Sequence, residues 1–238
     1  MFGPSTTRCS LTGLFHCRPC GGRFPVGWRR RSQRAAAAEP VQVKAPESVV
    51  LEGDHVRLEP LGEQHREDLV AAAAEDPDTF RFMGINIAAH GWDAWLNEAL
   101  GGVAEGRYVA WATVDRDTGR AVGSTRFGDI SPADGRVEIG WTWIAPSHQR
   151  TAVNTEAKLL QLSYAFDELG ATRVALKTDG RNLRSQAAIE RLGAAREGVL
   201  RRHMRLPDGY LRDTVYYSIL ADEWPAVKAR LEERLRGD

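Results

Sequence analysis

One acidic residue, Glu138, interrupts an apolar run that is predicted to form a β-strand over residues 137–144. Helices packed on both faces of such a strand would leave the carboxylate half-buried, and desolvation raises the pKa of a carboxyl group towards neutrality. Glu138 is therefore a candidate general base, although it could also be an ordinary ion-pairing residue on a solvated sheet face. Strand alternation predicts two faces, one with Val137, Ile139, Trp141 and Trp143 and the other with Glu138, Gly140, Thr142 and Ile144.

The segment QRTAVNTEAK, residues 149–158, follows this strand and leads into a predicted helix over residues 155–169. The start of a helix offers unpaired amide N–H groups and the positive end of the helix dipole, which together favour an anion such as phosphate. The segment contains no glycine and matches neither the P-loop nor the dinucleotide-binding pattern. It could therefore bind an anion, or Asn154 or Thr155 could simply cap the helix.

Two hydrophobic periods alternate along the chain and predict the elements that position these residues. A hairpin before residue 62 and helices over 63–75 and 92–104 precede three strands joined by turns, which indicates an antiparallel meander. The helix over 155–169 is expected to expose Lys158, Gln161 and Glu168. It joins the strand over 137–144 to one over 174–178, which should be its parallel neighbour. A helix over 182–192, a hairpin over 199–220 and a terminal helix complete a mixed α/β (α+β) fold.

The first 38 residues carry seven arginines and no acidic residue, whereas the chain from Glu39 onward has 25 basic and 32 acidic residues. This mildly acidic body argues against a nucleic-acid binder, and no apolar run approaches the roughly 20 residues of a membrane-spanning helix. We expect residues 1–47 to be a basic, disordered extension and linker, and residues 48–238 to be one domain in the cytoplasm. The start also resembles an organellar transit peptide, and a misassigned start codon would look the same.

All three cysteines lie in the basic segment, so a disulfide framework is not expected. Together with His16, the residues Cys9, Cys17 and Cys20 contain one C-x-x-C pair. Because the second pair of a zinc finger is missing, a disordered tail is the simpler interpretation, and no metal is expected.

Several short motifs follow one another in a specific order. They are Glu138-Ile-Gly140, Pro146-x-x-Gln149 leading to Thr155-Glu-Ala157, Asn182-x-x-Ser185, Arg191-Leu-Gly193 and Asp213-x-x-x-Tyr217-Ser218. Each motif is weak alone, but in this order the chain from about residue 49 to 231 resembles the GNAT superfamily of acyl-CoA-dependent N-acyltransferases, and within it the RimJ/RimL type. The resemblance implies a GNAT fold: a bent mixed sheet of six to seven strands, with helices on both faces and one parallel βαβ crossover.

The same resemblance implies acetyl-CoA as the co-substrate, bound in a V-shaped opening between the strands over 137–144 and 174–178. The pantetheine arm is expected along the main chain of the first strand, and the pyrophosphate on the amides of the loop before the helix. The residues implied in coenzyme binding are Trp143, Ile144, Gln149, Arg150, Thr151, Ala152, Val153, Asn154, Thr155 and Asn182.

The chemistry implied by the family is direct transfer, in which a deprotonated amine attacks the thioester and the thiolate leaves. Glu138 matches a strand position from which many members supply the base. Many members take the acid from a tyrosine seven residues after the motif asparagine, but Ile189 stands there. The RimL-like branch suggests Ser185 as the acid instead, although a serine in a first helical turn is often only a cap.

Two features depart from the family pattern and keep a second function class open. Ala152 and Asn154 occupy the two small positions of the loop, and Asn154 could cap the helix or reach a phosphate oxygen. The altered loop and the missing tyrosine would suit a non-catalytic acyl-CoA-binding sensor or interaction module.

The acceptor and the oligomeric state stay open. A protein N-terminus or a small-molecule amine would serve as acceptor, and the enzyme would be a monomer or homodimer. In the family, the early helices and the last hairpin shape the acceptor site.

Overall fold

The computed structural model describes residues 43–237. The candidate zinc ligands Cys9, His16, Cys17 and Cys20, and all but the last few residues of the predicted extension, lie outside the described residues. Within residues 43–237 the chain forms eight strands and six α-helices. The strands are β1 (Leu51–Glu52), β2 (Val56–Pro60), β3 (Val109–Asp115), β4 (Ala121–Ser131), β5 (Arg136–Ile144), β6 (Arg173–Asp179), β7 (Ala195–Arg205) and β8 (Leu211–Leu220). The helices are α1 (Arg66–Ala74), α2 (Ile87–His90), α3 (Trp92–Ala104), α4 (Ala152–Ser163), α5 (Leu183–Leu192) and α6 (Trp224–Gly237).

In the described part of the chain, the strands form one mixed sheet in the order β1-β2-β3-β4-β5-β6-β8-β7. Every neighbouring pair is antiparallel except β5 and β6, which are parallel and joined through α4. The predicted meander and the single βαβ crossover are therefore confirmed. The sheet has one strand more than the expected six to seven, because the two-residue β1 pairs with β2 at the sheet edge.

Helices cover both faces of the sheet, as expected. The α1–α3 region packs on one face, where the rings of Phe80 and Trp95 contact Trp143 at centroid distances of 5.0 and 6.4 Å. Helix α4 covers the other face, where Tyr164, in the wide π-type turn that extends α4, stacks on Phe127 at 6.1 Å, and α6 packs against α4. We call these the α3 face and the α4 face.

A β-bulge in β5 changes which residues face which helices. In the pairing of β4 with β5, Arg126 lies opposite Gly140 and Ser124 opposite Trp143, so one residue of β4 faces two of β5. Trp141 takes a left-handed φ of 51° at this point. The bulge reverses the alternation, and the predicted faces are wrong beyond Gly140: Trp143 lies on the α3 face and Thr142 on the α4 face.

Helix α4 is attached to the β1–β2 turn by a buried carboxylate. Glu156 accepts hydrogen bonds from the main-chain N–H groups of Asp54, His55 and Val56 at 2.8, 2.6 and 2.6 Å. Gly53 passes so close that a Cβ atom on it would lie 2.4 Å from the Glu156 carboxyl carbon. The side chain thus determines where the first hairpin sits on α4.

Candidate functional site

The parallel strands β5 and β6 separate part-way along their length. Their pairing runs from Arg136 opposite Arg173 to Ile139 opposite Leu176. Beyond these residues β5 continues to Ile144 paired with β4, while β6 continues to Asp179 paired with β8. A gap therefore opens between the two strands towards their carboxyl ends, which is where ligands bind in parallel sheets.

Glu138 lies where this gap begins. Its side chain is 3% exposed, and Oε2 is 2.9 Å from the Nζ atom of Lys177 on β6. A Cβ atom on Gly140 would lie 3.0 Å from Glu138 Oε1, so only a glycine leaves the carboxylate free on that side. Burial raises the pKa of Glu138, and this effect outweighs the lowering by the Lys177 charge. The carboxylate is thus a stronger proton acceptor than an exposed glutamate.

Polar residues from the last hairpin extend this ion pair across the sheet. The Lys177 Nζ atom lies 5.9 Å from the ring centroid of Tyr216, which the His203 ring contacts edge-on at 5.7 Å. Burial, with the nearby charges of Lys177 and Arg212, lowers the pKa of His203. Burial likewise lowers the pKa of Arg212. Burial thus disfavours the protonated form of both hairpin side chains, His203 and Arg212.

The helix after β5 begins earlier than predicted. Thr151 is its N-cap, with Oγ1 accepting a hydrogen bond from Val153 N at 3.3 Å, and Ala152 is its first residue. The alternative in which Asn154 or Thr155 caps the helix is therefore excluded. Arg150, exposed and with a φ of 65°, turns the chain immediately before the cap. The loop and first turn thus direct their main-chain N–H groups outward at the end of β5.

The side chains of the first turn differ in what they could contact. Val153 and Thr155 are buried, so only their main-chain atoms could meet a ligand. Asn154 is half-buried, and its Oδ1 atom is buried without a hydrogen-bond partner among the described residues. Because an amide with a free polar atom is uncommon in a well-packed interior, Asn154 has unused hydrogen-bonding capacity at this helix start.

Gln149 connects the two sides of the gap. Its Nε2 donates to the Ile144 carbonyl oxygen at 2.9 Å, and its Oε1 accepts from Arg184 Nη1 on α5, also at 2.9 Å. This bridge holds the loop before α4 next to the start of α5. Gln149 thus links the predicted coenzyme loop to α5, the helix that carries the candidate acid Ser185.

Asn182 and Ser185 lie at that helix start. The Asn182 side-chain oxygen accepts a hydrogen bond from Ser185 N at 3.0 Å and so caps α5. Ser185 is half-buried, and Ile189 on the same helix is buried in the core. The predicted coenzyme loop before α4 therefore lies on one side of the gap. Asn182 and Ser185, at the start of α5, lie on the other side.

A cavity of about 320 Å³ opens at the start of α5. Asn182 and Arg184 line it from α5, while Arg81 and Phe82 line it from the segment between α1 and α2. Trp143, in contrast, is buried under Phe80 and Trp95, so its side chain belongs to the core and only its main chain borders the gap.

Lys158 and Gln161 face the sheet and not the solvent, contrary to the prediction from helical spacing. Lys158 Nζ donates to Thr125 Oγ1, Thr142 Oγ1 and Gln161 Oε1 at 2.9, 2.8 and 2.7 Å. Burial lowers the pKa of Lys158 to about 7. This cluster lies on the α4 face directly beneath the β5 bulge, and Glu168 is the one residue of the predicted polar stripe that is exposed.

Removing the buried amine should change how stability depends on pH. The unfolded chain keeps the Lys158 proton up to a pKa of about 10.4, whereas the folded chain releases it near 7, so the unfolded state binds more protons in between and stability rises with pH. We expect the free energy of unfolding of the wild type, relative to Lys158→Met, to increase by roughly 2–2.5 kcal/mol between pH 7.5 and 9.5. Urea unfolding at several pH values measures this difference. A difference that stays constant with pH would contradict the burial of a neutral amine, and Lys44→Met, which changes an exposed lysine, is the surface control.

Two residues near Glu138 were missed from the sequence. Lys177 could have been found from the alternation of polar and apolar residues along β6. Glu138 lies opposite Ala175 in the parallel pair, and Lys177, two residues further on, points to the same face. Arg126, in the middle of β4 and fully buried, is opposite Gly140. A charged residue inside an otherwise apolar strand was the available signal.

Two kinds of feature do not occur in the described part of the chain. Residues 43–237 contain no group of three or more His, Cys, Asp or Glu side chains that could hold a metal ion. None of the helices in that range is long and apolar enough to cross a membrane.

Residues 55–195 match the family model described as an acetyltransferase (GNAT) domain. The chain belongs to the GNAT acetyltransferase family. The GNAT assignment made from the motifs is thereby confirmed, and so are the fold class and the prediction that the protein is an acyltransferase.

Relatives of this GNAT chain include both curated proteins and a solved structure. An uncharacterized N-acetyltransferase of Bacillus subtilis (strain 168), YoaA, is 29% identical over 173 residues, which are 72% of this chain and 96% of the relative. A putative ribosomal N-acetyltransferase of the same organism, YdaF, is 34% identical over 110 residues, 46% of this chain and 59% of the relative. The crystal structure of a GCN5-related N-acetyltransferase from Brucella melitensis is 34% identical with a TM-score of 0.75, covering 82% of this chain and 88% of that chain.

Proposed function

We propose that this GNAT enzyme transfers an acetyl group from acetyl-CoA to the nitrogen of a primary amine by direct attack. The observation that carries the proposal is the position of Glu138, a buried carboxylate of raised pKa at the point where β5 and β6 separate. A group of this kind takes a proton from an ammonium or from an attacking amine more readily than an exposed carboxylate does.

The residues around the gap fit a coenzyme with a pyrophosphate group. The unpaired N–H groups at the start of α4 would hold the phosphates, and Arg150 lies beside them as an exposed cation. At the same place the Nδ2 group of Asn154 would be the donor to a phosphate oxygen, whereas its unpartnered Oδ1 atom is an acceptor. The main chain of Trp143 and Ile144 would hold the pantetheine arm where β5 has no partner on that side. The fit does not require glycine at Ala152, because its side chain is small and the helix starts there in ordinary geometry.

When bound, acetyl-CoA would supply the thioester whose acetyl group is transferred. Glu138 would accept the proton that the amine nitrogen loses as its bond to the acetyl carbon forms and the carbon–sulfur bond breaks. Ser185, at the start of α5, would donate a proton to the departing sulfur and would regain one from water. Lys177 would hold the Glu138 carboxylate in place through its 2.9 Å contact.

The acceptor is a primary amine, either a protein N-terminus or a small molecule. The description of YdaF as a putative ribosomal N-acetyltransferase supports the first, and the cavity of about 320 Å³ beside Asn182 has room for the second. We further expect the enzyme to act in the cytoplasm as a monomer or homodimer. Size-exclusion chromatography with light scattering would determine the oligomeric state.

Acetyl-CoA should stabilise the protein against heat. A ligand at about 100 times its Kd adds about 2.7 kcal/mol, which for a domain of this size corresponds to a rise in Tm of roughly 5 to 10 °C. The measurement is thermal unfolding with and without acetyl-CoA, and desulfo-CoA and free adenosine are the ligand controls. An unchanged Tm at saturating coenzyme would refute coenzyme binding.

A non-catalytic acyl-CoA-binding module is the alternative, and the lack of a tyrosine at Ile189 favours it. Release of free thiol from acetyl-CoA over a panel of amines separates the two. Stabilisation by acetyl-CoA without thiol release above background for any amine would support the binding module.

A further inference from the structure

Arg126 is a fully buried arginine with two unused hydrogen-bond donors. It lies on β4 with 0% of its side chain exposed, and its Nη1 donates to Glu98 Oε2 on α3 at 2.6 Å. Its Nε and Nη2 atoms are buried and have no hydrogen-bond partner among the described residues. A buried cation normally uses its donors, because each unpaired one keeps the full penalty of desolvation.

The two unused donors lie on the same edge of the guanidinium group. Nε–H and one N–H of Nη2 point in the same direction, and this edge matches the two oxygens of a carboxylate in a bidentate pair. Glu98 occupies the other end, at Nη1. Arg126 can therefore keep its ion pair with α3 and still bind a second carboxylate along its free edge.

This free edge belongs to the same sheet face as Glu138. Arg126 lies opposite Gly140 in the β4–β5 pairing, and Gly128 lies opposite Glu138. The Trp141 ring contacts both β4 positions. The Arg126 guanidinium is 5.8 Å from the ring centroid, and a Cβ atom on Gly128 would be 2.5 Å from the Cζ3 atom of the ring. Such diagonal positions on neighbouring strands are about 7–8 Å apart. A small molecule with its amine at Glu138 and its carboxylate at Arg126 would have to displace the Trp141 ring, which lies over Gly128 between the two side chains.

Aromatic rings cover the guanidinium on the side towards solvent. Trp141 and Tyr108 are half-buried, with ring centroids 4.8 Å apart, and Tyr108 lies 5.3 Å from the Arg126 Cζ atom. Trp95 lies 5.6 Å from that Cζ atom on the core side. Trp141 is the residue with the left-handed backbone in the β5 bulge, and strained conformations of this kind cluster at ligand-binding positions.

We propose that Arg126 selects the acceptor by binding its carboxylate, so that the preferred substrates are primary amines carrying a carboxylate a few bonds away, as in amino acids. The inference rests on the proposed acetyl transfer and specifies its substrate class. A bidentate guanidinium–carboxylate pair in a desolvated position discriminates strongly against an acceptor in which the carboxylate is replaced by a neutral amide.

The test uses the full-length protein and matched acceptors, each amino acid paired with its carboxamide and assayed by thiol release at a pH where both amines are partly deprotonated. The wild type should prefer the acid over the amide by roughly 10- to 100-fold in kcat/KM, mainly through KM. Arg126→Lys keeps a cation for Glu98 but loses the paired Nε and Nη2 donors. In this variant the ratio of kcat/KM for the acid to that for the amide should fall towards one. In Arg136→Lys, which changes a half-buried arginine paired with Asp129, the ratio should stay at its wild-type value.

A binding measurement keeps the inference independent of turnover. Thermal unfolding in the presence of CoA should show stabilisation of the wild type by the amino acid and less by its amide, with the difference lost in Arg126→Lys. Thiol release without any preference for acids would overturn the role of Arg126 while leaving acetyl transfer intact. Absence of thiol release with every amine would count against acetyl transfer, and the binding difference would then decide on Arg126 alone. A wild type that binds the acid and the amide equally would show that the free edge is only a structural feature satisfied by water.

Discussion

Replacing Glu138 with glutamine should slow amine acetylation by about 10²-fold or more, because glutamine keeps the shape of the side chain but cannot accept a proton. The loss should appear in kcat, since the proton moves in the chemical step. Steady-state thiol release measures it. The Tm shift caused by acetyl-CoA should persist in Glu138→Gln, and Glu168→Gln, which changes an exposed glutamate, is the matched control.

The pH profile provides a second readout for the same residue. Burial raises the pKa of Glu138 above the 4.5 of an ordinary glutamate, so the wild-type kcat/KM should fall on the acidic side at a pH above that value. The same acidic limb should be missing in Glu138→Gln. A variant as active as the wild type, with the same acidic limb, would remove Glu138 from the mechanism.

Replacing Glu156 with alanine should destabilise the domain by roughly 2–4 kcal/mol, since it leaves three N–H groups of the β1–β2 turn without an acceptor, that of Val56 buried and those of Asp54 and His55 partly buried. The edge strands β1 and β2 should lose stability as well, because the carboxylate is the main polar contact between their turn and α4. Urea unfolding, followed by the fluorescence of the tryptophans, gives the free energy difference.

Glu168→Ala is the matched control for that experiment, because Glu168 lies on the same helical segment but is exposed. It should change the free energy of unfolding by less than about 0.5 kcal/mol. A loss below 1 kcal/mol in Glu156→Ala would mean that water replaces the carboxylate at the turn.

Most of the architecture could be predicted from local patterns. Strand alternation, turn residues and one strand–helix–strand unit led to the meander and the parallel pair, because these depend on contacts close in sequence. The motif order then supplied the family, which the family model confirms. The roles of Glu138, Ser185 and the coenzyme loop stay predictions that the variants above can test.

The start of α4 shows where local patterns lose resolution. Thr151, Asn154 and Thr155 are all residue types that cap helices, so the sequence offers three starts within five residues. The start that is used depends on the turn at Arg150, which has a φ of 65°. Such a positive φ is uncommon in residues other than glycine, so the sequence does not predict it.

The order of the elements, the crossover and the position of Glu138 on β5 could all be derived from local patterns, because each follows from a short period of apolar residues. The contacts of the polar residues around that strand depend on how distant segments pack. Helical spacing alone predicts that Lys158 and Gln161 face the solvent. In the fold, Thr125 and Thr142, which are 33 and 16 residues from Lys158 in the sequence, accept hydrogen bonds from its amine and so reduce the cost of burying it. Arg126 and Lys177 likewise lie near Glu138 only because β4 and β6 pair with β5 on its two sides. Such contacts depend on register and on one bulge, and these are set by packing between distant segments.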